Sequence, residues 1–206
     1  MQWQTFNNPA PYEPTIALME IKVAEIASGD AEEEIWLLEH PSLYTAGTSA
    51  KIHDLLQSDL PVYQSGRGGQ YTYHGPNQRI IYAMLNLKRR YAPKVPDVRH
   101  FVFTMEQWII DVLASFDITG ERRQGRIGIW VAHQGNEAKI AALGIRISKG
   151  VSYHGAAINL NPDLSHYAGI VPCGLRDYGV TSMHQLGVKI TMEQLDLAIK
   201  QHCPFN

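Results

Sequence analysis

Lys139-Ile-Ala-Ala-Leu-Gly-Ile-Arg-Ile147 is followed, after Ser148-Lys149-Gly150, by Val151-Ser-Tyr-His-Gly-Ala-Ala-Ile-Asn-Leu160. Both runs are apolar and bounded by turn residues, the pattern of paired strands. Upstream, Ile127-Gly-Ile-Trp-Val131 is a third run of the same kind, joined to the Lys139–Ile147 run through an Asn-bearing turn. Three such runs in series predict adjacent antiparallel strands.

Earlier in the chain, Ile80-Ile-Tyr-Ala-Met-Leu-Asn-Leu87 reads as a central strand, ended by Lys88-Arg89-Arg90. Phe101, Met105, Trp108, Ile109, Val112, Leu113 and Phe116 share one helical face behind an Asp97 cap, which predicts a helix over 98–116. Ile16, Met19, Val23, Ala24 and Ala27 predict an amphipathic helix over 12–28, stopped by Gly29-Asp30. Ile35-Trp-Leu-Leu38 reads as a buried strand stopped by His40-Pro41, and residues 42–60 as loop with a short helix around 53–57. Thr191 and Gln194 form a capping-box pattern before Met192, Leu195 and Ile199, which mark a closing helix. Tyr-His-Gly occurs at 73–75 and again at 153–155, but the flanks differ, and no linker or internal repeat divides the chain. The expected architecture is a single α+β domain over residues 1–206, a mixed, largely antiparallel sheet with helices packed mainly on one face.

A chain of 206 residues, 45% hydrophobic and 18% charged, has the composition of a globular protein with a sizeable core. Its net charge of -2 gives no global basic footprint for nucleic acid. No run is long and apolar enough to span a membrane, and the first residues do not read as a secretory signal. Cys173 and Cys203 are the two cysteines, a poor disulfide framework, so reduced thiols and a cytoplasmic setting are expected.

Three stretches carry chemistry. Arg67-Gly-Gly-Gln-Tyr-Thr-Tyr-His-Gly-Pro-Asn-Gln78 packs paired glycines, a turn and several polar side chains into twelve residues. It reads either as a Gly-rich hairpin with a well-bonded histidine or as backbone brought close to a ligand. Pro172-Cys173-Gly174 puts a thiol on a sharply shaped loop, and a thiol is useful as thiolate, beside a cation or dipole. The plainer reading is a small buried hydrophobe, which suits Cys203 better than Cys173. Lys139 opens an apolar strand, where it either guards a sheet edge or faces a site. Metal-ligand spacings, the Gly-x-Ser-x-Gly elbow and the Gly-x-x-x-x-Gly-Lys phosphate loop are all missing from the sequence.

Together, Arg67 to Gln78, Lys139 to Arg146 and Pro172 to Gly174 resemble the lipoyl(octanoyl) transferases, with His154-Gly155, Ile158-Asn159 and Leu38-Glu-His-Pro41 in support. One departure is Asn77, where that family usually has glycine. The resemblance implies a fold related to biotin and lipoate ligases, and transfer of an octanoyl group from octanoyl-acyl carrier protein to a lysine of lipoyl domains. The acceptors implied are the E2 subunits of 2-oxoacid dehydrogenases and the glycine cleavage H protein. It implies Cys173 as acyl-thioester nucleophile and Lys139 as the cation that lowers its pKa and moves protons. The implied acyl pocket is Arg67, Gly68, Gly69, Gln70, Tyr71, Thr72, Tyr73 and His74, with Ala142, Leu143, Gly144, Gly155, Ala156 and Ala157. No cofactor, metal, nucleic acid or membrane is expected, and a monomer is.

On this reading the substrate is already a thioester, so ATP is not needed, and His74 shapes the pocket or stabilises the oxyanion. His74 as the thiol's base is the alternative. Ala141, Ala142, Ala156 and Ala157 either line an acyl tunnel or simply pack between strands. An eight-carbon chain gains about 5 kcal/mol from such a slot, at roughly 0.8 kcal/mol per methylene. One methylene changes little, so length must be read where the tunnel ends. Basic clusters at Arg89, Arg90, Lys94 and Arg99, and at Arg122, Arg123 and Arg126, suit an acidic carrier. Two other readings stay open: an ATP-dependent lipoate or biotin ligase, and a module that binds acylated or lipoylated partners without turnover.

Overall fold

The structure, a computed structural model, describes residues 1–57, 59–133, 135–171 and 178–205. In chain order the elements are β1 (Gln2–Thr5), α1 (Tyr12–Ser28), β2 (Glu34–Leu38), β3 (Leu43–Ala46), β4 (Val62–Gln64), β5 (Tyr71–His74), β6 (Gln78–Met84) and α2 (Leu87–Tyr91). There follow α3 (Val98–Ala114), β7 (Glu121–Arg123), β8 (Arg126–His133), β9 (Asn136–Ser148), β10 (Val151–Asn159), β11 (Gly179–Val180) and α4 (Met192–Gln201). The main sheet runs β1-β2-β6-β10-β9-β8-β7, with β11 added on β9, and β4-β3-β5 form a second, smaller sheet. From β2 to β7 every neighbour is antiparallel, whereas β1 on β2 and β11 on β9 are parallel. The mixed, largely antiparallel α+β fold expected from the sequence is therefore present. β8, β9 and β10 are the three adjacent runs, and β6 is central between β2 and β10.

Strand alternation sorts the core into two layers. Ile35 and Leu37 of β2 and Ile81 and Ala83 of β6 enter a core with Phe101, Met105 and Trp108 of α3 and Leu195 and Ile199 of α4. The alternate residues Trp36, Leu38, Ile80, Tyr82 and Met84 pack on Met19, Val23 and Ile26 of α1. Helices thus cover both faces, not mainly one. The physical reason lies in β6 and β10, whose residues are buried throughout. Strands apolar on both sides need two covers. On the α3–α4 side, Arg79 reaches Asp196 through Nε–Oδ1 and Nη2–Oδ2 contacts of 2.7 and 3.1 Å, tying β6 to α4.

Caps fall where the sequence puts them. Gly29 closes α1 with φ 92°. The Asp97 side chain accepts from the His100 amide at 3.0 Å, and Thr191 and Gln194 form a complete capping box. Residues 42–60 differ from the expected loop. Leu43–Ala46 is a buried strand, and the helical turn lies at Ile52–Asp54, short of the expected 53–57. Lys88, Arg89 and Arg90 end no strand themselves but lie within α2.

Candidate active site

On the α1 side of the sheet, β9 sets Ala142 beside Ala157 and Gly144 beside Gly155 of β10. β6 continues these rows with Ile80 and Tyr82. The result is a trough floored by methyl groups and bare backbone. Two of its glycines are required by close approach. A Cβ on Gly155 would lie 2.2 Å from the Ile81 carbonyl oxygen, and one on Gly144 would lie 2.9 Å from Arg67 Cδ.

A cavity of about 270 Å³ opens over this trough. Arg67, Gly69, Gln70, Thr72 and His74 line it from one side, and Ala142, Leu143, Gly144, Gly155, Ala156 and Ala157 form its floor. Gly68 lies on a neighbouring apolar groove with Val98, Val102 and Ile145. Tyr71 and Tyr73 do not reach the cavity. As odd members of β5 they turn to the opposite face and pack with Tyr44, Tyr167 and Ile170. The sequence did not single out Tyr12, Ser49, Ile80, Tyr82, Arg126, Ile127 or His154 as pocket residues, yet all line the cavity. For His154 a signal existed in the repeated Tyr-His-Gly; for Tyr82 there was none.

Arg67 braces the roof. Its guanidinium donates to the Thr45 carbonyl at 2.8 Å, the Thr45 hydroxyl at 2.7 Å and the Gln70 carbonyl at 2.9 Å. The loop also donates from the Gly68 amide to the Ile145 carbonyl at 3.2 Å, which fastens it to β9. Gly69, at φ 90°, supplies the left-handed turn that this path requires. Gln70 Oε1 and Arg126 Nη1, both on the cavity wall, are buried without a hydrogen-bond partner among the described residues.

Three histidines surround the trough, all held neutral. His40 Nδ1 faces the Ala10 carbonyl at 2.6 Å, so Nδ1 carries the proton and Nε2 accepts from the Tyr82 hydroxyl at 2.8 Å. Burial pushes His40 down to about 4, against the Ala10 hydrogen bond. His74 Nδ1 donates to Gln78 Oε1 at 2.7 Å, an assignment fixed because Gln78 Nε2 donates to Asn159 Oδ1 at 2.9 Å. Burial drives His74 to about 3, helped by the repulsion it would meet from His40 were both rings protonated and by the Arg67 guanidinium. His154 is likewise lowered to about 3 by burial, then by Arg67 and Arg146. With Nδ1–H committed to Gln78, neutral His74 offers the cavity an Nε2 lone pair, not a proton. Of the two roles expected for it, this geometry suits shaping the wall better than stabilising an oxyanion.

Lys139 is buried just beyond the trough. Its Nζ donates to the Ile127 carbonyl at 2.8 Å and lies 4.8 Å from the Trp130 ring centroid. Among the described residues no carboxylate pairs with it. A register slip between Ile129 and Trp130 sends both Ile140 and Ala141 into the main core. Lys139 and Ala142 are left on the cavity side of β9. Gly128, at φ 114°, makes room for the lysine, since a Cβ there would sit 3.1 Å from its Cε. On the other edge Val180 of β11 pairs with Lys139, and the Tyr178 ring meets Trp130 edge-on at 5.4 Å. Cys173 and its neighbours Pro172 and Gly174 lie outside the described residues.

The basic clusters are largely spent within the fold. Arg122 pairs with Glu106 at 3.0 Å, Arg126 with Glu137 at 2.6 Å, and Arg123 with Glu121 and Glu137. Arg89 and Arg90 share Glu33. Lys94 and Arg99 are exposed and have no ion-pair partner among the described residues.

A family model described as lipoyl protein ligase A/B catalytic domain matches residues 11–203. A protein of Cereibacter sphaeroides named Octanoyltransferase is 52% identical, over 97% of this chain and 94% of its own. One of Caulobacter vibrioides with the same name is 52% identical, over 96% and 88%. Among solved structures, a bipartite lipoate protein ligase of Thermoplasma acidophilum superposes with TM-score 0.73 at 13% identity, over 98% of this chain and 81% of that one. The biotin protein ligase of Aquifex aeolicus superposes with TM-score 0.53 at 9% identity, over 98% and 67%. The two structures share the fold. The sequence matches go further: this chain belongs to the lipoyl protein ligase A/B catalytic-domain family and, within it, to the octanoyltransferases.

Proposed function

We propose that the protein moves an octanoyl group from octanoyl-acyl carrier protein onto a lysine of lipoyl domains, with Cys173 as the transient acyl carrier. The observation that carries the reading is the apolar trough of Ala142, Gly144, Gly155 and Ala157 with a buried ammonium beside it. Such a trough takes a fatty chain, and the relatives named Octanoyltransferase match nearly the whole chain.

In this mechanism the Cys173 thiolate, stabilised by the Lys139 ammonium, attacks the thioester carbonyl of the donor. The carbon–sulfur bond to the carrier's thiol breaks, and Lys139 returns a proton to the departing thiolate. Neutral Lys139 then takes a proton from the lipoyl-domain amine as it attacks acyl-Cys173, and the thiolate is released. Arg67, Gly69, Gln70, Thr72 and His74 enclose the acyl chain from above, and the small residues of β9 and β10 support it from below. The donor's acidic carrier docks, on this reading, at Lys94 and Arg99. Transfer then weakens with added salt, and Lys94→Glu with Arg99→Glu raises the KM for the carrier while Arg123→Gln does not. A reducing compartment such as the cytoplasm keeps the thiol available, and the chain acts as a monomeric catalytic unit.

The test combines purified protein, octanoyl-acyl carrier protein and an apo-lipoyl domain without ATP. Mass spectrometry should show an octanoyl adduct on Cys173 that the lipoyl domain discharges, and no adduct in Cys173→Ser. Dependence on ATP and free octanoate would favour a ligase instead. Acyl binding without discharge would favour a carrier module.

A further inference from the structure

His154 occupies a position that strand geometry does not favour. It lies inside β10, paired with Ile145 of β9, yet its φ is 58°. A left-handed residue costs energy for any side chain other than glycine. Its effect here is directional. In a regular strand, Tyr153 and His154 point to opposite faces. Here their rings stack at 5.0 Å on the same side, and His154 turns into the cavity. The imidazole is wedged edge-on against Tyr82 at 5.7 Å, while the Arg146 guanidinium lies 5.6 Å from the Tyr153 ring centroid behind it. It is 4% exposed, and its ring nitrogens have no hydrogen-bond partner among the described residues.

The register shows which end of the trough this is. Lys139 lies at one end of the β9 floor, then come Ala142 and Gly144, and His154 stands at the level of Ile145. From Ala142, the cavity-lining residue of β9 nearest Lys139, to Ile145 is three strand residues, about 10 Å. An extended eight-carbon acyl chain has roughly that length. Resting on the reading of this cavity as an acyl slot with its reacting end near Lys139, we propose that His154 is the stop that sets acyl length. A tail of eight carbons ends short of the imidazole. A longer one must displace a ring that Tyr153 and Tyr82 hold in place, and must cover polar nitrogens with methylenes that offer them no hydrogen bond.

The experiment compares wild type with His154→Gly and His154→Asn, using octanoyl-, decanoyl- and dodecanoyl-acyl carrier protein as donors to a lipoyl domain. Glycine suits a φ of 58° and removes the ring; asparagine tolerates that φ and shortens the side chain. In the glycine variant the decanoyl-to-octanoyl ratio of kcat/KM should rise at least tenfold, with a smaller rise for asparagine. A second readout needs no turnover. Free octanoate should be the better thermal stabiliser of wild type, and decanoate the better stabiliser of His154→Gly. Unchanged ratios and an unchanged binding order in a folded variant overturn the proposal, and if the glycine variant does not fold, the asparagine variant decides by the same two measures. Should wild type fail to transfer octanoyl at all, the proposed function falls, and the fatty-acid binding order still judges His154.

Discussion

The Lys139 ammonium donates a 2.8 Å hydrogen bond to the carbonyl of Ile127, and Ile127 itself lines the cavity. A buried cation held by a neutral carbonyl and an aromatic face keeps its charge available to a neighbour. An ammonium locked to a carboxylate does not.

Lys139→Met keeps the length and packing of the side chain but removes its charge and its protons. Octanoyl transfer should fall by about 10²–10⁴, the usual contribution of a general acid–base group. On the proposed mechanism, alkylation of Cys173 by iodoacetamide near neutral pH should slow as well, because the thiolate loses the charge proposed to stabilise it. Unaltered transfer in a folded variant would remove Lys139 from the mechanism.

Tyr82→Phe tests the link from Ala10 through His40 to Tyr82. The substitution leaves His40 Nε2 fully buried with no donor. The expected cost is about 1–3 kcal/mol, read as a lower urea midpoint at unchanged slope.

The histidines make stability depend on pH with a definite sign. His40, His74 and His154 are lowered to about 4, 3 and 3, whereas in the unfolded chain they titrate near 6.5. Above that value neither state binds these protons, and the stability from burying neutral rings is fully present. As pH falls toward about 4 the unfolded state takes up protons that the folded state refuses. Each histidine then removes about 1.4 kcal/mol per pH unit. Urea denaturation between pH 6.5 and 4.5 should show this slope, and His154→Asn should reduce it by one histidine's share.

Gly155→Ala places a methyl group 2.2 Å from the Ile81 carbonyl oxygen, which is backbone of the central strand. Nothing there is a flexible side-chain tip. Destabilisation of about 3 kcal/mol is expected, at the upper end of ordinary overpacking. Denaturant unfolding checks it.

Much of this fold was legible where a long run had one dominant period. The helical stripe from Phe101 to Leu113 and the apolar runs of β6, β9 and β10 declare themselves. β3, β4 and β11, of four, three and two residues, do not, because their existence depends on partners supplied from elsewhere in the chain. The second helical cover was implicit in Ile80-Ile81-Tyr82-Ala83-Met84, which is apolar at odd and even positions alike. In the site, the segments were legible but not the faces. Reading residues 67–74 as one lining passes over the alternation that takes Tyr71 and Tyr73 to the other side of β5. Tyr82 and Ile127 reach the cavity through strand register, which local sequence does not encode.

The trough's floor has a consequence for how such proteins diversify. Ladder hydrogen bonds hold β9 and β10 on both flanks, and Gly155 leaves no slack against Ile81. A base this stiff does not breathe to accommodate a bulkier guest. Adaptation to new cargo must therefore come through exchanged side chains or a re-drawn roof, while the pleated platform underneath is inherited unchanged.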